Sequence, residues 1–329
     1  MLDERRIIIS STSNETGINE IFTVIFPSSD ARSKFWEVAK GHGYTNEKEM
    51  SEMLCPPHTY LLSDDSESKI VLGEGSFATV FLGAIQADDG NDNSQRLVAI
   101  KQMKGEFLSV PHAMADFLSE IGKLRQMKHK NIIEFLGAEK DNGVLNTYLM
   151  ELVDGGDLGQ MVDVVGPLYV DTMRDSSIEA IAAYAAQIVS GVAYLHTEHS
   201  ICHRDLKPAN ALVDSQSGKL KLNDFGTVQD LGGLDSKAFE LVGSLPYADP
   251  QVLLGVPYGL EVDIFSVGST IWELAGGKMP YSDIGGMDAV MQHRRANPEL
   301  LLPMDPTWPA DLQNLIVRYG NFDIILDRL

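Results

Sequence analysis

From Lys69 to about Val153 the chain reads as short β-prone runs, and beyond Gly156 as helices; this change of period most constrains the fold. "KIVLGEGSFATVFLGAI" is an apolar strand, a small-residue turn and a second strand. "RLVAIKQM" is a third, following the acidic, Gly/Asn-rich "QADDGNDNSQ", which reads as a solvated hairpin loop. "NIIEFLGAEKDNGVLNTYLMELV" resumes strand character around a turn at Asp141 to Gly143. Only "AMADFLSEIGKLRQMK" breaks this series with helical spacing. Past Gly156, "SIEAIAAYAAQIVSGVAYLH" and "DIFSVGSTIWELAGG" carry apolar residues at helical spacing. Strands and helices segregated in this way predict an α+β chain with a small β-rich lobe, one helix in it, and a larger, mainly helical lobe. The sequence has no internal repeat.

At 329 residues the chain is long enough for more than one core. Its formal net charge of −21 disfavours nonspecific attraction to nucleic acid or anionic membrane, and clusters such as "GKLRQMKHK" are too short to reverse that. The two cysteines, Cys55 and Cys202, lie far apart without a metal-ligand spacing, so neither a disulfide framework nor a zinc site is expected. The apolar run near the N-terminus is too short for a signal peptide and no segment reads as a membrane span, so a soluble, cytoplasmic protein is expected. Residues 1–66 differ in texture from the rest. "RRIIIS" and "IFTVIF" are β-prone runs joined by a polar, turn-rich linker, as in a hairpin; "DARSKFWEVAKGHGY" reads as a short amphipathic helix, and "LCPPHTYLLSDDSES" as a connection. Nothing in this extension carries recognisable chemistry, and its expected role is that of an accessory segment.

In "GEGSFATV", Gly73 and Gly75 carry no Cβ to keep the backbone from phosphate oxygens, although glycines in a hairpin are ordinarily just turn residues. Period-two alternation turns Lys101 away from Ile100; on the next helix Glu120 shares a face with Leu124, where it could meet an inward lysine. Taken singly, each is ordinarily a solvated residue. The loop "SICHRDLKPANALVD", residues 200–214, sets His203, Arg204, Asp205, Lys207 and Asn210 close together, and "DFG" follows at Asp224 to Gly226. Asn210 and Asp224 can supply oxygen ligands to a hard cation such as Mg²⁺ alongside substrate phosphates. Asp205 is left to accept a proton.

With these motifs in this order, residues 69–329 resemble the eukaryotic protein kinase family, whose signature joins a Gly-rich loop, a strand lysine, a catalytic-loop Asp with its Asn, and DFG. "HKNII", "YLMELVDGGDL" as a hinge and "VDIFSVGSTIWELAGGKMPYSD" extend the resemblance. It implies the bilobal kinase fold, with an N-lobe at 67–150, a hinge at 151–156 and a C-lobe at 157–329. It also implies that Mg-ATP binds between the lobes and that its γ-phosphoryl group passes to a protein hydroxyl, with Mn²⁺ as an alternative cation. Lys101, oriented by Glu120, would hold the α- and β-phosphates, and Asn210 and Asp224 the metal. Asp205 would deprotonate the attacking hydroxyl, and Lys207 would stabilise charge on the transferred group. Gly73, Gly75 and Ala78 form the phosphate loop, while Leu72, Val80, Ala99 and Leu212 would sandwich adenine. Met150 would be the gatekeeper, Glu151 and Val153 would offer hinge backbone groups, and Asp157 would reach the ribose. Asp263 would anchor the catalytic loop, and His203, Leu124, Phe135 and Phe225 would form an apolar stack linking the lobes.

"HRDLKPAN" with Lys207, and Ser244 in "VGSLPYADP", resemble Ser/Thr rather than Tyr kinases, and "GSFATVFLG" with "KPAN" resembles the MAP kinase kinase kinase and neighbouring groups. Arg204 before Asp205 is similar to kinases whose activation segment is organised by a phosphate from an upstream kinase. Thr227, Ser236 and Ser244 are the candidate hydroxyls, Ser236 the best placed. Three departures stand out. Ala78 replaces the third glycine, Gln251 in "ADPQ" replaces a glutamate that pairs with a late arginine, and the chain stops at "NFDIILDRL", with Arg328 as a remnant of that arginine. They favour a first rival, a pseudokinase or scaffold that binds without turnover; a second rival, a small-molecule kinase acting on an alcohol, shares the lobe plan but usually lacks the "HRDLKPAN" to "PQVL" segment.

Overall fold

A computed structural model of the protein describes residues 6–12, 19–25, 70–86, 95–141, 144–233, 236–297 and 302–320. The helix expected within 30–44, Cys55, the acidic loop 87–94 and the tail 321–329 with Arg328 lie outside the described residues. The chain divides into two compact units. The first comprises Met1–Lys128 with Ile133–Leu152, and the second His129–Ile132 with Val153–Leu329. The cut between Leu152 and Val153 falls within 151–156, the stretch read as a hinge, and "HKNI" joins the helical unit.

In the first unit, β1 (Arg6–Thr12) and β2 (Asn19–Ile25) pair antiparallel, the hairpin that "RRIIIS" and "IFTVIF" imply. A separate five-stranded antiparallel sheet has the order β3-β4-β5-β7-β6, built from β3 (Val71–Glu74), β4 (Ala78–Gln86), β5 (Gln95–Met103), β6 (Phe135–Asp141) and β7 (Val144–Glu151). Strand alternation sorts β5 into two faces. Val98 and Ile100 are buried with Leu149, with Ile85 and Leu136 packed on them, and the residues between point the other way. Helix α1 (Pro111–Leu124) opens with Pro at its first position and buries Ala113, Phe117, Ile121 and Leu124, with Glu120 among them. The Phe117 and Tyr148 rings lie 5.5 Å apart, which sets α1 against β7.

The second unit is built around α5 (Glu261–Gly276), buried on nearly every side from Val262 to Ala275. Helix α3 (Arg174–His199) buries Ile181, Ala185, Ile188, Val192 and Leu195 at intervals of three and four. Among the described residues α3 and its lead-in turn are long and apolar enough to cross a bilayer, yet the stripe packs against α5 and β10 (Leu220–Leu222), as in a core helix. Helix α2 (Leu158–Val165) starts at Asp157, whose Oδ1 accepts from Gln160 N. Helix α4 (Pro250–Leu254) starts at Asp249, whose Oδ1 accepts from Gln251 N, and ends at Gly255 with φ 67°. Helices α6 (Met287–Ala296) and α7 (Ala310–Gly320) complete the unit, the latter packed on α5 beside the Trp272–Trp308 edge contact. Short strands β8 (Ile201–Cys202) with β11 (Gln229–Asp230), and β9 (Ala211–Val213) with β10, frame the loop between Cys202 and Ala211.

Candidate active site

The first unit brings Lys101 and Glu120 together. Lys101 Nζ lies 2.7 Å from Glu120 Oε1 and 2.9 Å from Oε2, with side chains only 17% and 4% exposed. The lysine reaches inward because it alternates with Ile100, which fills the core on the opposite face. Tyr148, its register partner on β7, donates its hydroxyl to Glu120 Oε1 at 2.9 Å, a third member that the sequence reading missed. A nearly buried ion pair with both carboxylate oxygens engaged is pre-oriented rather than solvated.

The Gly73–Ala78 turn joins β3 to β4, with Gly75 N donating to Ala78 O at 2.9 Å. A Cβ on Gly73 would meet no atom of the chain within 4 Å, so packing does not require glycine there. Ala78 is buried in the sheet opposite Met103, so its methyl belongs to the core. Val80 faces Lys101 across the ladder, and Ala99 faces Met150; the last two are buried, whereas Leu72 is exposed. The Glu151 N–H is already spent on Glu134 O at 3.0 Å.

In the second unit the loop after β8 is fixed from one side by Asp263. Its carboxylate accepts from the backbone N–H groups of His203 (2.7 Å) and Arg204 (2.8 Å), and Oδ2 also meets His196 Nε2 at 2.8 Å. Two successive N–H groups can aim at one carboxylate because Arg204 adopts φ 67°, a left-handed conformation unusual for a residue with a side chain. Burial pushes the Asp263 carboxyl upward, but the His196 hydrogen bond and charge and the His203 contacts leave it below the usual carboxylate range. His203 packs its ring 5.2 Å from Phe225.

The same loop brings Asp205, Lys207 and Asn210 together. Asp205 Oδ2 accepts from Lys207 Nζ at 2.9 Å and from Asn210 Nδ2 at 3.0 Å, while Asn210 Nδ2 also reaches Asp205 O at 2.7 Å. The other oxygen, Oδ1, is buried and accepts no hydrogen bond. Lys207 Nζ donates in addition to Ser244 Oγ at 2.8 Å, so the serine meets Asp205 through the lysine. With Nδ2 turned to Asp205, the amide of Asn210 presents its oxygen as the end for a cation. Asp224 lies close by in the chain path, since Asn223 N donates to Asn210 O at 2.9 Å and Asp224 turns with φ 60°. Two oxygen donors of this kind suit Mg²⁺ shared with substrate phosphates, and among the described residues no cluster of three or more His, Cys, Asp or Glu has metal-holding geometry. Leu212 sits on β9 opposite Lys221 and bridges to Asp157, whose Oδ1 already caps α2.

Beyond Asp224 the segment folds back on the loop. Arg204, with only 8% of its side chain exposed, donates to Thr227 O (2.6 Å), Gln229 Oε1 (2.6 Å) and Glu240 Oε2 (2.7 Å). The sequence points to a phosphate as the partner of Arg204; the structure supplies the carboxylate of Glu240. No local spacing marks Glu240, which lies 36 residues away. Of the three candidate hydroxyls, Thr227 donates to His203 O at 3.0 Å, Ser244 is held by Lys207, and Ser236 is exposed. Gly243 has φ 84°, and a Cβ there would collide with the carbonyl oxygen of Arg204, so here glycine is a packing requirement. Gln251 Nε2 is buried without a partner. The buried cation of this neighbourhood is Arg294 on α6, close enough to Asp249 for each to feel the other's charge.

The family model described as "Protein kinase domain" matches residues 66–322. The chain belongs to the protein kinase family. It is 34% identical over 231 residues, 69% of its length, to mitogen-activated protein kinase kinase kinase 5 of Homo sapiens. It is 34% identical over 261 residues, 77% of its length, to the human kinase kinase kinase 6, and 31% identical over 227 residues, 68% of its length, to kinase kinase kinase A of Dictyostelium discoideum. These matches cover 16, 19 and 22% of the relatives' own lengths, so the chain spans about a fifth of each. The α+β kinase fold and the likeness to kinase kinase kinases expected from the sequence therefore stand. The glycine turn, Lys101, the catalytic loop and DFG of this kinase domain all fall within the matched residues.

Proposed function

We propose that this chain is a Ser/Thr protein kinase that transfers the γ-phosphoryl group of ATP to Ser and Thr hydroxyls of protein substrates, with a role in intracellular signalling; relatives named mitogen-activated protein kinase kinase kinases support the reading. The observation that carries the reading is the asymmetry of Asp205: Oδ2 is held by Lys207 and Asn210, while buried Oδ1 accepts nothing. A carboxylate held through one oxygen keeps the lone pairs of the other uncommitted, as a base requires.

In this reading the substrate oxygen forms a bond to the γ-phosphorus while the bond to the β–γ bridging oxygen breaks, its electron pair leaving with ADP. The hydroxyl proton passes to Asp205 Oδ1. Lys207, 2.9 Å from Asp205 and 2.8 Å from Ser244, stabilises negative charge on the phosphoryl oxygens and ties the base to the segment bearing the serine. In the first unit Lys101, oriented by Glu120, takes the α- and β-phosphates under the Gly73 to Ala78 turn, and Leu72, Val80, Ala99 and Met150 contribute that unit's share of the adenine contacts, with the Glu151 carbonyl, its N–H being held by Glu134 O. The second unit's share comes from Val153 and Leu212, and Asp157 reaches the ribose. Asn210 and Asp224 are the residues that would hold Mg²⁺, or Mn²⁺ in its place, and the cation supplies charge neutralisation between phosphate oxygens when bound.

The test is transfer of γ-phosphate from Mg-ATP to a generic Ser/Thr protein substrate. Wild type is expected to be active, with Asp205→Asn and Lys101→Met reducing kcat by at least about a hundredfold, the scale of general-base and charge-stabilising contributions. Nucleotide binding without transfer by wild type, even after treatment with an upstream kinase, would overturn the reading.

A further inference from the structure

Arg294 is a fully charged side chain kept where charge is expensive. It is 4% exposed, its guanidinium lies 4.9 Å from the Tyr281 ring centroid and 5.2 Å from that of Phe265, and burial pulls its pKa below the usual arginine value. Its direct hydrogen-bond acceptor is a backbone carbonyl, Leu245 O, at 2.7 Å. Leu245 follows Ser244, whose Oγ takes Lys207 Nζ, which in turn holds Asp205 Oδ2. The neighbouring Arg295 donates Nε to Leu253 O at 2.8 Å, so α6 grips the 245–253 stretch at both ends, with only the first grip adjoining Ser244.

We propose that Arg294 is a positioning residue for the protein substrate: by fixing the Leu245 carbonyl it sets the loop beside Asp205 along which an incoming polypeptide must present its hydroxyl. This rests on the kinase reading above. A lysine cannot reproduce the guanidinium's combination of ring stacking and directed donation, and a neutral chain removes both. Water and ATP are not presented along the loop, and Lys207 keeps its own bond to Asp205 when the loop shifts, so the effect falls chiefly on protein substrate.

Wild type, Arg294→Lys, Arg294→Met and the control Arg295→Met are compared in three ways: KM and kcat for a generic Ser/Thr protein substrate, KM for ATP with the rate of ATP hydrolysis in the absence of protein substrate, and hydrogen exchange of the amides at 243–248. The expected result for Arg294→Met is a rise of roughly tenfold in protein-substrate KM, the scale of one charged hydrogen bond, with ATP KM and ATP hydrolysis within about twofold. Arg294→Lys should fall between, and carries the test if Arg294→Met does not fold. Arg295→Met should match wild type, and exchange at 243–248 should speed up only in the Arg294 variants. Unchanged protein-substrate KM, an equal loss in ATP hydrolysis and protein phosphorylation, or an equal effect of Arg295→Met would each overturn the proposal. A wild type without transfer or ATP hydrolysis would sink the kinase reading instead, and unchanged exchange at 243–248 would still sink the tie itself.

Discussion

At the scale of single residues, the site depends on carboxylates that serve several donors at once. Asp263 binds two backbone N–H groups and His196, and no other side chain has its two acceptor oxygens in one plane at that reach. Asp263→Asn keeps the shape but turns an NH₂ toward a donor in a buried site. The expected cost is about 3–5 kcal/mol, read from urea denaturation, together with loss of whatever activity the Asp205 loop supports. Because the folded carboxyl is held below its unfolded value, its contribution is present above pH about 4, the usual Asp range, and fades as pH falls through the lower folded value. The difference in stability between wild type and Asp263→Asn should therefore shrink in acid. Asp205 and Asp224 were legible because "HRDLKPAN" and "DFG" write the chemistry in contiguous letters, and Asp263 through the resemblance carried by "VDIFSVG". Their supports were not: His196 to Asp263 spans 67 positions, Arg204 to Glu240 spans 36, and Arg294 to Leu245 spans 49. Pairings across such separations are decided by packing, which no local period records.

At the scale of elements, periodicity served well where an element has one buried face. Helix α1 shows its apolar face in Phe117, Ile121 and Leu124, and alternation in β5 separates Lys101 from Ile100. It served less well for α4, five residues long, whose start is set by a cap. Asp249 caps α4 at a cost: burial raises its carboxyl to about 6 from 3.8, against the opposing pull of its bonds to Gln251 and the charge of Arg294. A raised carboxyl means that the folded state holds the proton more tightly than the unfolded chain does. The associated stability is complete below pH about 4 and is lost as pH rises through about 6, a span of roughly two units, or on the order of 3 kcal/mol. Asp249→Asn keeps an acceptor suited to the cap and removes the titration. Urea midpoints should then show wild type losing ground to Asp249→Asn as pH rises from about 4 to about 6, with little further change above; parallel profiles across that span would contradict the assignment.

At the scale of the whole molecule, 47 acidic against 26 basic residues give a formal net charge of −21, which favours the approach of cationic partners. Peptide substrates with Lys or Arg flanking the acceptor hydroxyl should show higher kcat/KM than acidic ones at low salt. The gap should narrow toward about 0.15 M, where the screening length falls to about 8 Å. Equal values for both peptides at low salt would remove the field from the account.

Gly243 has a consequence at the level of the gene. Every single-base change that alters the meaning of a glycine codon specifies a residue with a β-carbon or a stop, and each such β-carbon would strike the Arg204 carbonyl in a backbone already at φ 84°. Codon 243 thus has no conservative missense neighbour, and in a library of random single-nucleotide variants selected for phosphoryl transfer it should return only synonymous changes.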